Sequence, residues 1–124
     1  MMLEIKNVSK GYGSFIAIDN LSLNINNGEI LGLVGINGAG KSTLMRMLGG
    51  IYKADKGEIL IDGEPIYENE RIKRNIFLLP DEPYYDNSST AMSLANLYKR
   101  LYSFDMEEYI RALYSFEVPV EKCL

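Results

Sequence analysis

Residues 35–42 read Gly-Ile-Asn-Gly-Ala-Gly-Lys-Ser, and this octapeptide decides how the rest of the chain is interpreted. It matches G-x-x-x-x-G-K-[ST], the pattern of a loop that wraps nucleotide phosphates. Its glycines let backbone N–H groups converge on an anion, because a Cβ there would clash or forbid the necessary dihedral angles. Lys41 offers a mobile positive charge to the β- and γ-phosphates, and the Ser42 hydroxyl suits a ligand of Mg²⁺.

The flanking sequence predicts that this loop joins a strand to a helix. Residues 29–34 (Glu-Ile-Leu-Gly-Leu-Val) are a short apolar run, typical of a buried parallel strand. No helix breaker follows until Gly49 and Gly50, so a helix is predicted from about Lys41 to those glycines, with its positive end facing the phosphates. Average composition gives the pattern G-x-x-x-x-G-K-[ST] by chance in roughly a few chains per thousand of this size. An ordinary glycine turn is therefore a poor explanation.

Composition narrows the functional classes. The chain has 124 residues, enough for one core, and its net charge of −4 argues against nucleic acid as the main partner. No apolar run approaches the roughly 18 residues of a membrane span, and the N-terminus does not read as a signal peptide. A single cysteine, Cys123, and the absence of histidine exclude a disulfide framework and histidine chemistry within this sequence.

Period-two alternation and turn residues predict the remaining strands. Residues 3–8 and 15–25 alternate around a turn at 11–13, and residues 58–61 form a strand that ends in an Asp62-Gly63 hairpin turn. Residues 76–79 are a short apolar strand ended by Pro80. Apolar spacing predicts a helix from Thr90 to about Phe104, and Asp105 caps another that reaches about Phe116.

Taken together, these residues resemble the N-terminal portion of the ATP-binding subunit of an ABC transporter. The resemblance is carried by residues 8–13, 21–23, 28–44, 57–59 and 62–63. It implies an α/β P-loop nucleotide hydrolase fold with an incomplete parallel sheet core, an antiparallel β subdomain and the start of a helical subdomain. Residues 1–80 would hold the β subdomain and the core. Residues 81–124 would hold the equivalent of the family's glutamine loop and the first part of the helical subdomain.

The resemblance also implies a set of ATP contacts. In the family an aromatic residue at the position of Tyr12 stacks on adenine, and a small residue at that of Ala17 lies beside the nucleoside. The alternative for Tyr12 is a turn tyrosine that covers the edge of the sheet. The predicted nucleotide-binding residues are Tyr12, Ala17, Gly35, Asn37, Gly38, Ala39, Gly40, Lys41, Ser42 and Thr43.

The predicted magnesium ligands are Ser42 and Asp81. Asp81 stands where the family carries the glutamine of its glutamine loop, a departure that resembles one branch of bacterial exporters; a plain turn carboxylate is the alternative. Residues 76–79 followed by Asp81-Glu82-Pro83 also imitate the family's Walker B stretch, in which Glu82 would be the general base. Pro80 interrupts that pattern and no glycine-rich signature precedes it, so Glu82 is the weaker alternative.

The sequence lacks several parts of the family's catalytic machinery, and from their absence we predict whether the chain can hydrolyse ATP. No L-S-G-G-Q signature, Walker B strand or switch histidine follows Gly63. We therefore expect a fragment of a longer ATPase that binds ATP with Mg²⁺ and does not hydrolyse it alone. The loop strand should have an unpaired apolar edge, so self-association or marginal stability in solution is expected.

The resemblance implies two protein partners: a membrane permease and a second ATPase subunit that completes each site. The protein would be cytoplasmic, attached to the inner face of the membrane, and would couple ATP hydrolysis to export. The surface predicted to contact the permease consists of residues 83–86 with Tyr98 and Tyr102. The alternative for these two tyrosines is that they pack the helix onto the sheet. The other candidate is a soluble ABC-type ATPase acting on ribosomes or DNA. A small GTPase is excluded because no N-K-x-D motif is present.

Overall fold

The computed structural model describes residues 2–80 and 88–120, which belong to two units divided between Leu78 and Leu79. Asp81, Glu82, residues 83–86 and Cys123 lie outside the described residues. What the sequence predicts for them therefore stays a prediction. Among the described residues, no helix is both long and apolar enough to cross a membrane.

The first unit is built on an antiparallel sheet of four strands in the order β2-β1-β3-β4. The strands are β1 (Leu3–Tyr12), β2 (Phe15–Ile25), β3 (Lys56–Ile61) and β4 (Glu64–Pro65). A tight turn at residues 13 and 14 joins β1 to β2, and the Asp62-Gly63 turn joins β3 to β4. The predicted strands at 3–8, 15–25 and 58–61 and the Asp62-Gly63 turn are thereby confirmed. The turn predicted at 11–13 lies at 13–14, because Gly11 and Tyr12 continue β1.

A bulge in β1 explains why its buried residues do not alternate. Ile5 faces Leu23 and Val8 faces Leu21, so one extra residue of β1 is fitted between these pairs. That residue is accommodated at Asn7, whose φ of +49° lies in the left-handed region that asparagine tolerates. The Asn7 N–H donates to the Ser22 hydroxyl at 2.9 Å. The bulge lets Ile5 and Val8 both enter the core.

Two helices pack with this sheet. Helix α1 (Lys41–Leu48) follows Gly40 and ends at Gly49, as predicted, and the short helix α2 (Glu70–Lys73) was not predicted. Asn69 caps α2 by accepting a hydrogen bond from the Ile72 N–H at 3.2 Å. The buried core joins both helices to the strands and comprises Ile5, Val8, Ile18, Leu44, Met47, Ile59, Ile61, Ile66 and Ile72.

Two predicted strands are not formed. Residues 29–34 and 76–79 are not paired as strands, and the described strands pair only with one another in an antiparallel manner. Ile30 is 100% exposed and Val34 is 95% exposed, so the prediction of a buried strand at 29–34 is wrong for this structure. The physical reason is that a strand is held by hydrogen bonds to a neighbour, and apolar sequence cannot replace that neighbour.

The second unit contains the two predicted helices, α3 (Ala91–Leu101) and α4 (Met106–Ser115). Thr90 and Ser93 form a reciprocal capping box at the start of α3. Asp105 caps α4 by accepting hydrogen bonds from the N–H groups of Glu107 and Glu108. The predicted cap at Asp105 is confirmed, and α3 begins directly after Thr90, where the apolar spacing predicted a helix to start.

Aromatic rings connect the two helices of this unit. The ring of Tyr98 lies 6.0 Å from that of Tyr102 and 6.3 Å from that of Phe104, and Phe104 lies 5.2 Å from Tyr109. The Tyr109 hydroxyl donates to the Ala91 carbonyl at 3.1 Å. Tyr98 and Tyr102 are partly buried, so these rings contribute to packing within the unit.

Candidate nucleotide-binding site

The phosphate loop lies directly before α1 and depends on glycine for its course. Gly38 and Gly40 have φ angles of +86° and +83°, a region that other residues enter at a cost. A Cβ on Gly40 would stand 2.2 Å from the Ala17 carbonyl oxygen, which excludes any side chain there. The loop is therefore held against the backbone of β2 at Ala17, one of the predicted nucleoside contacts.

Lys41 folds back over this loop. Its Nζ donates to the carbonyl oxygens of Gly35, at 2.5 Å, and Ile36, at 2.7 Å. Both acceptors are neutral, so these two bonds orient the ammonium group without neutralising its charge. That arrangement keeps a positive charge at the mouth of the loop.

The start of α1 adds unsatisfied donors to this charge. The first N–H groups of a helix have no acceptor within the helix, and here they belong to Lys41, Ser42 and Thr43. Gly40 has no side chain with which to cap them. The first helical bond is made by the Leu44 N–H, which donates to the Gly40 carbonyl at 2.9 Å. Asn37, Gly38, Ala39 and Ser42 are exposed, so an anion has access to these donors.

These features suit a polyphosphate bound with Mg²⁺. The loop supplies N–H donors and an ammonium group for phosphate oxygens, and Ser42 supplies a hydroxyl that is open to solvent. In the described part of the chain, no group of three or more Asp, Glu, Cys or His residues could hold a metal alone. A Mg²⁺ ion here would need phosphate oxygens and water for most of its ligands, which matches its usual habit at nucleotide sites.

Tyr12 ends β1 and presents its ring to solvent. The side chain is 45% exposed. The ring meets that of Tyr52 edge-on, with centroids 6.4 Å apart and planes at 70°. The Lys10 ammonium lies 5.9 Å from the centroid of the Tyr12 ring. The ring is thus accessible and also held by neighbours, as a stacking platform requires.

Sequence reasoning missed the residues that surround Tyr12. Asp55 accepts hydrogen bonds from Lys10 Nζ at 2.6 Å and from the Gly11 N–H at 2.9 Å. The hydrogen bond from Lys10, and after it the one from Gly11, hold the pKa of Asp55 below its ordinary value. No local pattern could have found this contact, because it joins positions 45 residues apart and forms only when the sheet does.

A cavity of about 280 Å³ lies beneath the loop, between β2, residues 33–34 and the start of α1. Ala17, Ala39, Gly40 and Lys41 line it together with Asp19 and the apolar residues Ile18, Leu21, Leu33, Val34 and Leu44. Most of its lining residues are apolar. A phosphate would bind on the polar side of the loop.

Comparison with known proteins gives the family. The family model described as "ABC transporter" matches residues 18–118, which include the phosphate loop, α1 and both helices of the second unit. This chain belongs to the ABC transporter family. The α/β P-loop fold class predicted from the sequence is confirmed by this match and by the structural neighbours.

Two relatives of this ABC family chain differ in the direction of transport that their names give. The xylose/arabinose import ATP-binding protein XylG of Sulfolobus acidocaldarius is 37% identical over 77% of this chain and 42% of the relative. The SkfA peptide export ATP-binding protein SkfE of Bacillus subtilis is 42% identical over 73% of this chain and 37% of the relative. The chain therefore spans about two fifths of these relatives.

A solved structure extends the likeness to the whole chain. A putative ABC transporter ATP-binding protein from Pyrococcus furiosus superposes with a TM-score of 0.82 and 31% sequence identity, over 100% of this chain and 62% of that one. The likeness therefore includes both units of this chain, each compared with part of a longer ABC ATP-binding domain.

Proposed function

We propose that the chain binds Mg·ATP as part of the nucleotide-binding subunit of an ABC transporter, and that the whole protein couples ATP hydrolysis to export across the membrane. The observation that carries the proposal is the phosphate loop, where the Lys41 ammonium lies on the loop carbonyls of Gly35 and Ile36 and α1 begins without a side-chain cap. Membership of the family supplies the choice of ATP as the ligand.

In this proposal the backbone from Gly35 to Thr43 binds the phosphates. The N–H groups of the loop and of the first turn of α1 would donate to phosphate oxygens, and the helix dipole would add to the attraction. Lys41 would exchange its bonds to two loop carbonyls for bonds to the β- and γ-phosphates. Since those carbonyls are neutral, the exchange gains a charge–charge interaction.

Mg²⁺ would neutralise part of the phosphate charge when bound. Ser42 is the proposed protein ligand because its hydroxyl is exposed at the first turn of α1. Asp81 is the second proposed ligand, on the sequence argument alone. The exposed ring of Tyr12 is the proposed stacking surface for the base, with Ala17 beside the nucleoside.

Hydrolysis is proposed for the whole protein and not for this chain alone. It needs an oriented water and charge stabilisation at the γ-phosphate from opposite sides. The described residues supply the loop on one side, and a second ATPase subunit is the proposed source of the other. Glu82 is the alternative general base, and hydrolysis by the isolated chain would point to it.

The proposed location is the cytoplasmic face of the membrane, on a permease subunit. Residues 83–86 remain the proposed contact surface. Tyr98 and Tyr102 are less suited to it than the sequence suggested, because their rings already pack against other rings of the second unit. Leu97 and Leu101 on the same helix are 48% and 51% exposed and are better placed for an apolar contact.

The direct test is calorimetric titration of the chain with ATP in the presence of Mg²⁺. Lys41→Ala should weaken binding by about 2–4 kcal/mol, since it leaves phosphate charge without its main cation. This corresponds to about 30-fold to 900-fold in Kd. Lys99→Ala, in the exposed part of α3, is the matched control and should leave Kd unchanged. An unchanged affinity in Lys41→Ala would contradict the proposed site.

A further inference from the structure

We propose that Tyr52 is a positioning residue that fixes the ring of Tyr12 relative to the phosphate loop. This inference rests on the proposed function, in which Tyr12 stacks on the base of the nucleotide. Tyr52 lies in the segment that follows α1, so the interaction would connect the base-binding and phosphate-binding parts of the site through a single helix.

The ring contact provides the first part of the argument. Tyr52 meets Tyr12 edge-on at 6.4 Å, the geometry in which the positive edge of one ring faces the negative face of another. Such a contact restricts rotation of an exposed ring. A stacking platform that is already oriented loses less entropy when the base arrives.

The backbone of Tyr52 is fixed to the end of α1. The N–H groups of Ile51 and Tyr52 both donate to the Arg46 carbonyl, at 2.8 and 3.3 Å. The Arg46 guanidinium also lies 5.8 Å from the centre of the Tyr52 ring. Because α1 starts with Lys41, the same rigid element carries the phosphate-binding ammonium at one end and holds Tyr52 at the other.

A second link ties the same segment to the strand that carries Tyr12. The Asp55 N–H donates to the Ser9 carbonyl at 2.9 Å, and the Asp55 carboxylate binds Lys10 and the Gly11 N–H. These contacts fix the backbone immediately before Tyr12, while Tyr52 fixes the ring. Residues 52–55 thus hold both the backbone and the side chain of the stacking residue.

The experiment compares two ligands, ATP and inorganic tripolyphosphate, by calorimetry on the 124-residue chain with Mg²⁺. Both ligands occupy a phosphate site, but only ATP has a base. Tyr52→Leu should weaken ATP binding by about threefold to tenfold, the scale of one aromatic contact, and leave tripolyphosphate binding unchanged. Tyr52→Phe retains the ring and should bind ATP as the unmodified chain does.

Tyr67→Leu is the matched control. Tyr67 is 37% exposed against 36% for Tyr52, and its ring also lies 5.8 Å from cationic groups, those of Lys53 and Lys73. Removing this ring should change neither affinity. A loss of ATP affinity in Tyr67→Leu equal to that in Tyr52→Leu would show a general effect of tyrosine removal and overturn the positioning role.

Tyr12→Leu separates the two proposals. If it lowers ATP affinity and Tyr52→Leu does not, stacking stands and the role of Tyr52 is wrong. If Tyr12→Leu leaves the ratio of ATP to tripolyphosphate affinity unchanged, the stacking proposal itself is wrong and the positioning role falls with it. Equal losses of ATP and tripolyphosphate affinity in Tyr52→Leu would also overturn the inference, because they would mean that the phosphate loop had been disturbed.

Discussion

Residues 29–34 are apolar in sequence but exposed, whereas strand β1 is more polar in sequence but contributes buried residues to the core. Four of the six residues at 29–34 are Ile, Leu or Val, yet Ile30 and Val34 are almost fully exposed. β1 carries lysines, a serine and an asparagine, yet Ile5 and Val8 are 1% and 0% exposed. The difference lies in pairing, because β1 has a hydrogen-bonded neighbour on each side and residues 29–34 have none among the described strands. Apolar sequence favours burial, and strand pairing decides whether it occurs.

The largest expected effect is on the free energy of unfolding, when one isoleucine in each region is replaced by alanine. Ile5→Ala should lower the free energy of unfolding by about 2–4 kcal/mol, because it leaves a cavity in the core. Ile30→Ala, which removes the same atoms from a side chain that is 100% exposed, should change it by less than about 0.5 kcal/mol. Urea unfolding followed by circular dichroism measures both. Equal losses would mean that residues 29–34 are buried in solution.

The second prediction, with a smaller expected effect than the first, concerns self-association of the chain. The exposed apolar segment has backbone groups without strand partners, and such segments recruit other chains. The chain should therefore self-associate at concentrations of about tens of micromolar, and the double variant Ile30→Lys, Val34→Lys should remain monomeric in sedimentation velocity. Phe116→Lys is the control, since Phe116 is 78% exposed in the second unit. If self-association persists in the double variant and disappears in Phe116→Lys, the surface responsible lies in the second unit.

The smallest effect concerns the pairing of β1 with the turn before β3. Hydrogen bonds from Lys10 and then from Gly11 lower the pKa of Asp55 in the folded chain. The carboxylate therefore stabilises the fold above the unfolded-state pKa of about 3.9, and this stabilisation is lost as pH falls through the lower folded-state pKa.

The Asp55→Asn variant checks this sign. Its urea midpoint should lie below that of the unmodified chain at pH 7, and the difference should shrink as pH falls toward 3. Lys10→Met should reduce the effect of Asp55→Asn in a double-mutant cycle. A difference that grows on acidification would show that the interaction is not carried by the ionised carboxylate.

Local signals in the sequence were sufficient where the structure is locally determined. Thr90 and Asp105 begin their helices through bonds to N–H groups two or three residues away, and the Asp62-Gly63 turn is equally local. The positive φ angles of Gly38 and Gly40 in the phosphate loop also belong to this class, since glycine adopts them at little cost. These features follow from short-range chemistry that a single sequence displays.

Features that depend on distant residues could not be predicted in the same way. The bulge at Asn7 needs Ser22 to accept its N–H, and the setting of Tyr12 needs Tyr52 and Asp55. The failure at 29–34 has the same origin, because the prediction assumed a neighbouring strand that the described residues do not provide. Helix α2 was missed because four residues are too few for a helical period to be visible.

The order of the strands in the sheet has a consequence for how the chain folds. β1 and β2 meet across a two-residue turn, whereas Leu3 pairs with Ile61 across the whole phosphate loop and α1. Closing the short hairpin takes microseconds, and closing the longer connection costs more chain entropy. The hairpin that ends in Tyr12 should therefore be established before β3 docks, and the nucleotide loop is assembled on a strand pair that already exists. The amide protons of the paired β1 and β2 residues should therefore exchange with solvent more slowly than those of the phosphate loop.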